Sequence, residues 1–325
     1  MTRFESILVA TDFSPAANHA VRRAAILAEE HACPLTLLHV LDPAGSQALR
    51  RLFPRHVDLD LKSVQLRGTL RRFAKEIIRM HGIAVKFELV IGDAFDEILR
   101  ASERADLVVL GQHGAESLRD RVLGSTADRL VRHCRRPLLV VKRPPEHRPY
   151  RRILVPVDFT AVSEAALGMA AALSQQAAID VFHARGLQRQ VEMQRAGAPD
   201  RDIGAVQEFD DGAMRARMQT MAEVAGLDLR RVSTGLGRGD AWRSTLDQEK
   251  LLRSDVIVAG KQGRSTMADF LLGSVTRRLM AHSTCDLLIV PRAAAEVRRP
   301  SLAKGPSRPS PWGLRDGAQQ RLVWK

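Results

Sequence analysis

The sequence has little cysteine and no long apolar run, and each shortage excludes a class of protein. Three cysteines in 325 residues, with no closely spaced pair, argue against a disulfide framework and against a zinc site. No apolar run approaches the roughly 18 residues that span a bilayer, and the first residues include no apolar stretch of signal-peptide length. The sequence therefore predicts a cytoplasmic protein with no membrane partner and with an ordinary packed core.

Acidic and aromatic residues are also in short supply. Lysine and arginine number 50 against 37 aspartates and glutamates, which gives a net charge of +13, and aromatic residues make up only 4%. Residues 292–325 hold eight basic and two acidic residues, a net of +6, so much of the excess lies in a tail. A basic stripe interleaved with aromatics is missing, so we expect weak polyanion attraction rather than specific nucleic-acid recognition.

Two similar halves make up most of the chain. The run "SILVATDFS" ends at Asp12, and "RILVPVDFT" repeats it at Asp158. Fourteen of the 38 positions from Ala105 to Lys142 are identical to the residues 149 positions further on, which indicates duplication of a whole domain. We predict a first domain over residues 1–142, a linker over 143–149, a second domain over 150–292 and a basic, disordered tail over 293–325.

Within each half, strand-like apolar runs alternate with helix-like segments. This alternation predicts an α/β fold made of two doubly wound parallel-sheet domains. One segment breaks the pattern: residues 186–212 are charged and poorly periodic, so we expect a long loop or irregular segment there.

The same glycine spacing occurs once in each half: Gly, two residues, Gly, nine residues, Gly-Ser. Gly111 and Gly260 each follow a predicted strand, and Ser125 and Ser274 stand at predicted helix starts. Glycine lets a ligand approach the backbone closely, and a helix start offers unpaired N–H groups and a positive dipole end. The glycine frame thus has the parts of a phosphate cradle. The alternative is that the glycines serve tight turns and the serines only cap helices.

The strand that ends in aspartate, the glycine frame and the closing apolar strand together resemble the universal stress protein family. The resemblance covers roughly residues 1–142 and 150–292. It implies two domains of the adenine nucleotide alpha hydrolase-like type, packed as a pseudo-dimer through their last strands, "PLLVVK" and "DLLIVP". It also implies ATP with Mg²⁺ as the ligand, and a regulatory or sensor role in the stress response with at most weak ATPase activity. The protein partner is left open, as is a homodimer.

The resemblance further implies ligand contacts in both halves, with the adenine and ribose side first along the chain and the phosphate side second. In the first half these positions are Ala10, Thr11, Asp12, Val40, Gly111, Gln112, His113, Gly114, Gly124, Ser125 and Thr126. In the second half they are Pro156, Val157, Asp158, Ala184, Gly260, Lys261, Gln262, Gly263, Gly273, Ser274, Val275 and Thr276. No catalytic residue and no metal ligand is predicted.

Several of these assignments have a competing interpretation. Asp12 and Asp158 suit an adenine amine or a ribose hydroxyl, but they equally suit a cap on the following helix. Lys261 suits a phosphate, but it also suits a solvated loop. For the whole protein, two further functions stay open: an interaction scaffold with empty sites, and an enzyme that slowly hydrolyses ATP or transfers its phosphate.

The two halves also differ at matched positions. Ala127 stands where the second half has Thr276, so the first site is expected to lack one hydroxyl. Ala184 replaces Val40, which gives a smaller wall for an adenine. Asp286 replaces a proline at the start of the last strand, and we expect it to loosen that end.

Overall fold

The computed structural model describes residues 3–42, 59–112, 124–186, 188–196, 198–263 and 272–293. Ten strands are present in these ranges. They are β1 (Ile7–Ala10), β2 (Leu35–Leu41), β3 (Val85–Ile91), β4 (Leu107–Gly111), β5 (Leu138–Val141), β6 (Arg152–Pro156), β7 (Ala178–Arg185), β8 (Val232–Arg238), β9 (Val256–Gly260) and β10 (Asp286–Val290).

Nine α-helices connect or flank these strands in the described residues. They are α1 (Pro15–His31), α2 (Leu59–His81), α3 (Ala94–Ser102), α4 (Ser125–His133), α5 (Ala161–Leu173), α6 (Gln188–Arg195), α7 (Asp200–Val224), α8 (Ala241–Leu252) and α9 (Ser274–His282). A short 3₁₀ helix, Leu229–Arg231, precedes β8.

The ten strands form one sheet in the order β3-β2-β1-β4-β5-β10-β9-β6-β7-β8. Each half is parallel throughout and has the same internal order, with its first strand between its second and fourth. Strands β1, β4, β5 and β10 are buried along their length or nearly so, as expected for parallel strands covered on both faces. The predicted α/β class is confirmed.

The halves join through their last strands. Strand β10 pairs antiparallel with β5, with Leu288 opposite Leu139 and Ile289 opposite Leu138. The predicted pseudo-dimer within one chain is therefore confirmed. Apolar residues of both halves share each core cluster, so the join continues the core rather than ending it.

Asp286 connects the two halves through its side chain, contrary to the expectation that it loosens the strand end. Its side chain is almost fully buried. One carboxylate oxygen accepts a hydrogen bond from the Lys142 backbone N–H (2.9 Å), and the other accepts one from the Tyr150 hydroxyl (2.7 Å). The Arg23 guanidinium lies 3.7 Å from the same carboxylate and over the Tyr150 ring. A buried carboxylate with three partners links residues of both halves.

The prediction of a loop over residues 186–212 is wrong. Helix α6 covers Gln188–Arg195, and α7 runs for 25 residues from Asp200. Helix α7 packs against β8 through buried Met218 and Ala222, which recur at a helical spacing of four. Packing of this sparse apolar stripe against the sheet stabilises the helix, although the sequence of the rest of the helix shows little helical periodicity.

Other expectations concern absent features and the tail. All three cysteines are buried and free. Within the described ranges, no helix is both long and apolar enough to cross a membrane. The predicted disorder of the tail lies outside the described residues from position 294 onward.

Candidate functional site

A cavity of about 210 Å³ opens in the second half, at the carboxyl ends of β6, β7 and β9. Strand β6 pairs with β7 on one side and with β9 on the other. The order of the strands along the sheet therefore reverses at β6. Ligands of open α/β sheets bind at such a reversal of strand order.

Most of the residues predicted for the second half line this one cavity. They are Pro156, Val157, Asp158, Ala184, Gly260, Gln262, Gly263, Gly273, Ser274, Val275 and Thr276. The topology brings them together because three strand ends and the start of α9 meet at the same edge of the sheet.

Asp158 is held in a tight turn between β6 and α5. One of its carboxylate oxygens accepts hydrogen bonds from the Thr160 backbone N–H (3.2 Å) and the Thr160 hydroxyl (2.6 Å). Phe159 between them has φ of +62°, a left-handed conformation that is uncommon for a phenylalanine. Thr160, not Asp158, is the residue that caps α5, and it does so by accepting from Ser163 N–H. Asp158 therefore supports the cap from two residues away.

The first half repeats this turn. Asp12 accepts from the Ser14 backbone N–H at 3.0 Å, Phe13 has φ of +64°, and Ser14 caps α1 by accepting from Ala17 N–H. Strained backbone of this kind persists only where surrounding contacts hold it, and it gathers at binding sites. The turn is a property of the duplicated domain rather than of one copy.

A histidine fixes each turn from the neighbouring strand. His183 Nδ1 lies 2.7 Å from the Val157 carbonyl oxygen, and His39 Nδ1 lies 2.7 Å from that of Thr11. Each ring also packs on the left-handed phenylalanine, with ring centres 4.7 Å apart for Phe159 and 4.9 Å apart in the first half. A carbonyl only accepts, so Nδ1 carries the proton. Both histidines hold the turn in place.

The glycines of the frame allow close approach of backbone to neighbouring groups. A Cβ atom at Gly260 would lie 2.7 Å from Val162 Cγ1, and one at Gly111 would lie 2.7 Å from the Ala16 carbonyl. A Cβ at Gly263 would lie 2.9 Å from Asp158 Oδ2. These distances are shorter than real Cβ contacts, so a side chain would have to displace the Val162 side chain, the Ala16 backbone or the Asp158 carboxylate, respectively.

Helix α9 points its N-terminus at the cavity. Gly273 is the N-cap, and Arg277 N–H donates the first intrahelical bond to its carbonyl (3.0 Å). The N–H groups of Ser274, Val275 and Thr276 therefore precede the helical ladder, at the positive end of the helix dipole. Ser274 is the first helical residue rather than the cap, and the same holds for Ser125 behind Gly124. The interpretation of these serines as helix caps is wrong.

Thr276 differs from the expectation for a ligand-binding hydroxyl. Its Oγ donates a hydrogen bond of 2.7 Å to the Gly260 carbonyl and so ties α9 to the end of β9. Ala127 at the matched position of the first half has no such group. The first half therefore lacks a hydrogen bond between helix and strand, rather than a ligand contact.

Lys261 lies apart from the cavity lining. The side chain is buried, and its ammonium donates to the backbone carbonyl of Arg132 at the end of α4, in the other half. The structure therefore places this charge at the interface between the halves, where a helix C-terminus attracts cations. Neither interpretation of Lys261 from the sequence, as a phosphate contact or as a solvated loop residue, describes this position.

In the first half, the predicted residues meet at the corresponding sheet edge. The end of β1, at Ala10 and Thr11, lies between the ends of β2 and β4, so Val40 and Gly111 flank it. Gln112 is buried, and its carbonyl accepts from Gly124 N–H at 2.9 Å, which brings together the two ends of the glycine frame. Thr126 follows Ser125 in the first turn of α4. His113 and Gly114 lie outside the described residues.

Six lining residues escaped the sequence reasoning. They are Ser163, Phe182, His183, Ala241, Thr245 and Ala259. Ala241 and Thr245 lie one helical turn apart at the start of α8, directly after β8 ends. A helix that starts at a strand's carboxyl end and carries small residues four apart is a signal that could have found these two.

Metal ligands were not predicted for the protein itself. Over the part of the chain that is described, no group of three or more His, Cys, Asp or Glu side chains is placed to hold a metal ion.

Two doubly wound α/β halves, each with an aspartate turn after its first strand and a glycine frame after its fourth, define a tandem α/β protein with a duplicated candidate ligand site. A sequence profile of the universal stress protein family matches residues 3–142 and 149–291. The chain belongs to the universal stress protein family, and its role lies in the stress response.

Several relatives share the tandem length. A universal stress protein of Mycolicibacterium smegmatis is 26% identical over 294 residues, covering 87% of this chain and 96% of its own. One from Mycobacterium tuberculosis is 27% identical over 276 residues, covering 83% and 90%. A solved universal stress protein from Archaeoglobus fulgidus aligns with a TM-score of 0.63 at 18% identity, covering 89% of this chain and 98% of its own. This structural likeness shows the fold.

Proposed function

We propose that the second half binds ATP and that the protein acts as an ATP-dependent regulator or sensor in the stress response. One observation carries the proposal: eleven of the twelve positions implied for that half line a single cavity at the reversal of strand order. The proposal keeps the two domains predicted from the duplication, residues 1–142 and 150–292. It also keeps the prediction that the protein acts in the cytoplasm.

The cavity has groups suited to each part of a nucleotide. At the phosphate end, the N–H groups of Ser274, Val275 and Thr276 offer donors at a positive helix end, and Gly263 admits an oxygen close to the backbone. At the opposite end, Phe182 and Ala184 give apolar walls. Mg²⁺ would be held chiefly by the phosphates, as is usual for bound nucleotides.

Calorimetry with ATP and Mg²⁺ tests the proposal directly. We expect binding by the full chain, and a loss of at least tenfold in affinity for Gly263→Ala, because its Cβ would press on Asp158 Oδ2. Gly212→Ala is the matched control, since a Cβ there meets nothing within 4 Å. Absence of ATP binding by the native chain would contradict the proposal and favour an interaction scaffold.

The first site is addressed by combining Gly114→Ala with Gly263→Ala, which we expect to abolish ATP binding without unfolding the chain. Unchanged ATP affinity in the double variant would refute the site assignment. Multiple-turnover release of phosphate well above background, lost in the same variant, would instead favour a slow ATPase or phosphate-transferring enzyme.

A further inference from the structure

The two halves differ most at the end of the site away from the glycine frame. In the second half, Phe182 pairs with Gly235 across β7 and β8, and Ala184 pairs with Gly237. At the same register in the first half, Leu38 pairs with Glu88 and Val40 with Val90. The second half has therefore gained one aromatic ring and lost side-chain volume at the three positions around it.

The Phe182 ring occupies the space that the glycines leave. A Cβ at Gly237 would lie 2.5 Å from Phe182 Cζ and 2.8 Å from Ser244 Cβ, and a Cβ at Gly235 would lie 3.0 Å from Phe182 Cδ2. Real Cβ atoms essentially never make contacts shorter than 3.0 Å. The position of the ring between β8 and α8 thus depends on these glycines, and on Gly237 above all.

The same ring forms a wall of the cavity. Phe182 is only 2% exposed, yet it lines the cavity together with Ala184, Ala241 and Thr245. The other three are small residues, so Phe182 is the largest apolar side chain that lines this end, and its mostly buried ring sets the shape of the wall. A side chain added at Gly237 would therefore press on the ring from the β8 side and on Ser244 of α8.

We infer that Phe182, held on Gly235 and Gly237, is the specificity-determining residue of the second site and makes that site select purine over pyrimidine nucleotides. The inference rests on the proposed function. A purine presents a larger planar apolar face to an aromatic wall than a pyrimidine does, and contacts of aromatic side chains with bases contribute substantially to binding. The first half has aliphatic Leu38 and Val40 at the matched positions and so has no aromatic wall there.

The test compares ATP and CTP binding by calorimetry on the full chain. We expect Phe182→Leu, which restores the first-half residue, to reduce the ratio of ATP to CTP affinity at least fivefold. Gly237→Ala should weaken ATP binding at least tenfold by pushing the ring into the cavity. The double variant Phe182→Leu with Gly237→Ala should recover most of the ATP affinity, since the smaller side chain leaves room for the new methyl group.

The outcomes separate this inference from the proposed function. Gly263→Ala measures how much of the ATP binding belongs to the second site. If this variant binds ATP as tightly as the native chain, the second site itself is refuted. If Gly263→Ala does reduce binding while Phe182→Leu leaves the ATP to CTP ratio unchanged, the role of Phe182 is refuted. Failure of the double variant to recover affinity, although its melting curve matches that of the native chain, would equally overturn the inference.

Discussion

The ammonium group of Lys142 lies 2.7 Å from the carbonyl oxygen of Met280, across the join between the two halves. The Leu279 carbonyl (3.2 Å), the Ser283 carbonyl (3.1 Å) and the Ser283 hydroxyl (2.7 Å) also lie within hydrogen-bonding distance, so four acceptors share the three protons of the ammonium. These acceptors end helix α9, whose other end faces the cavity. A cation from the first half thus satisfies the carbonyls at the negative end of a helix in the second half.

The exchange is reciprocal, since Lys261 of the second half donates to Arg132 at the end of α4 in the first half. The two lysines come from different places: Lys142 follows β5, whereas Lys261 follows β9. The duplicated domains therefore use unequal residues for one purpose, which is to cap the partner half's helix at the interface.

We predict that the stability of the chain relative to Lys142→Met rises between pH 8 and pH 10. Burial lowers the pKa of Lys142 from its ordinary 10.5 to about 8. Above pH 8 the folded chain gives up this proton while the unfolded chain keeps it, so raising the pH favours the folded state. The gain is absent below about pH 8 and complete near pH 10.5, and it amounts to roughly 2 to 3 kcal/mol by pH 10.

Urea unfolding of both proteins at pH 7.5 and pH 10 measures this gain. The variant is the control for every other titrating group, because the gain is the difference in free energy of unfolding between the two proteins at the same pH. A difference that stays constant or shrinks as the pH rises would contradict the prediction.

Removing Asp286 should destabilise the join strongly. We expect Asp286→Ala to lower the free energy of unfolding by about 3 to 5 kcal/mol, because it leaves Arg23 and Tyr150 buried without their partner. Burial raises the pKa of Asp286, and hydrogen bonds from Lys142 N–H and Tyr150 oppose that rise. Asp286→Asn should therefore cost less, since it keeps the size and one acceptor. Equal losses in the two variants, measured by chemical unfolding, would speak against this account.

Much of the fold and part of the site could be predicted from the sequence, because periodicity and internal repetition record local structure. The strand that leads to Asp158 and the glycine frame were found in this way. Helix α7 was missed because its buried face is only a sparse stripe that matters once β8 is beside it. The partner of Lys261 was missed because a contact across the join depends on how the halves pack, and spacing within one half carries no trace of it.

Replacement of Thr276 should weaken the tie between α9 and β9. We expect Thr276→Val to lower stability by about 1 kcal/mol, since the half-buried Gly260 carbonyl loses its 2.7 Å donor. Thr276→Ser keeps the hydroxyl and should be close to the native chain in thermal unfolding. If Thr276→Val and Thr276→Ser melt at the same temperature, the hydroxyl has no such role.

Lys261 offers a direct choice between its placement at the interface and its predicted place in a phosphate cradle. We expect Lys261→Met to lower the free energy of unfolding by about 1 to 3 kcal/mol, because the half-buried Arg132 carbonyl loses a charged donor. The accompanying loss of ATP affinity should be much smaller than that of Gly263→Ala, whose Cβ acts inside the cavity. Unfolding and calorimetry on the two variants side by side measure both effects. The placement at the interface would be contradicted if Lys261→Met lost as much ATP affinity as Gly263→Ala and kept the native stability. That result would instead support a phosphate contact by Lys261.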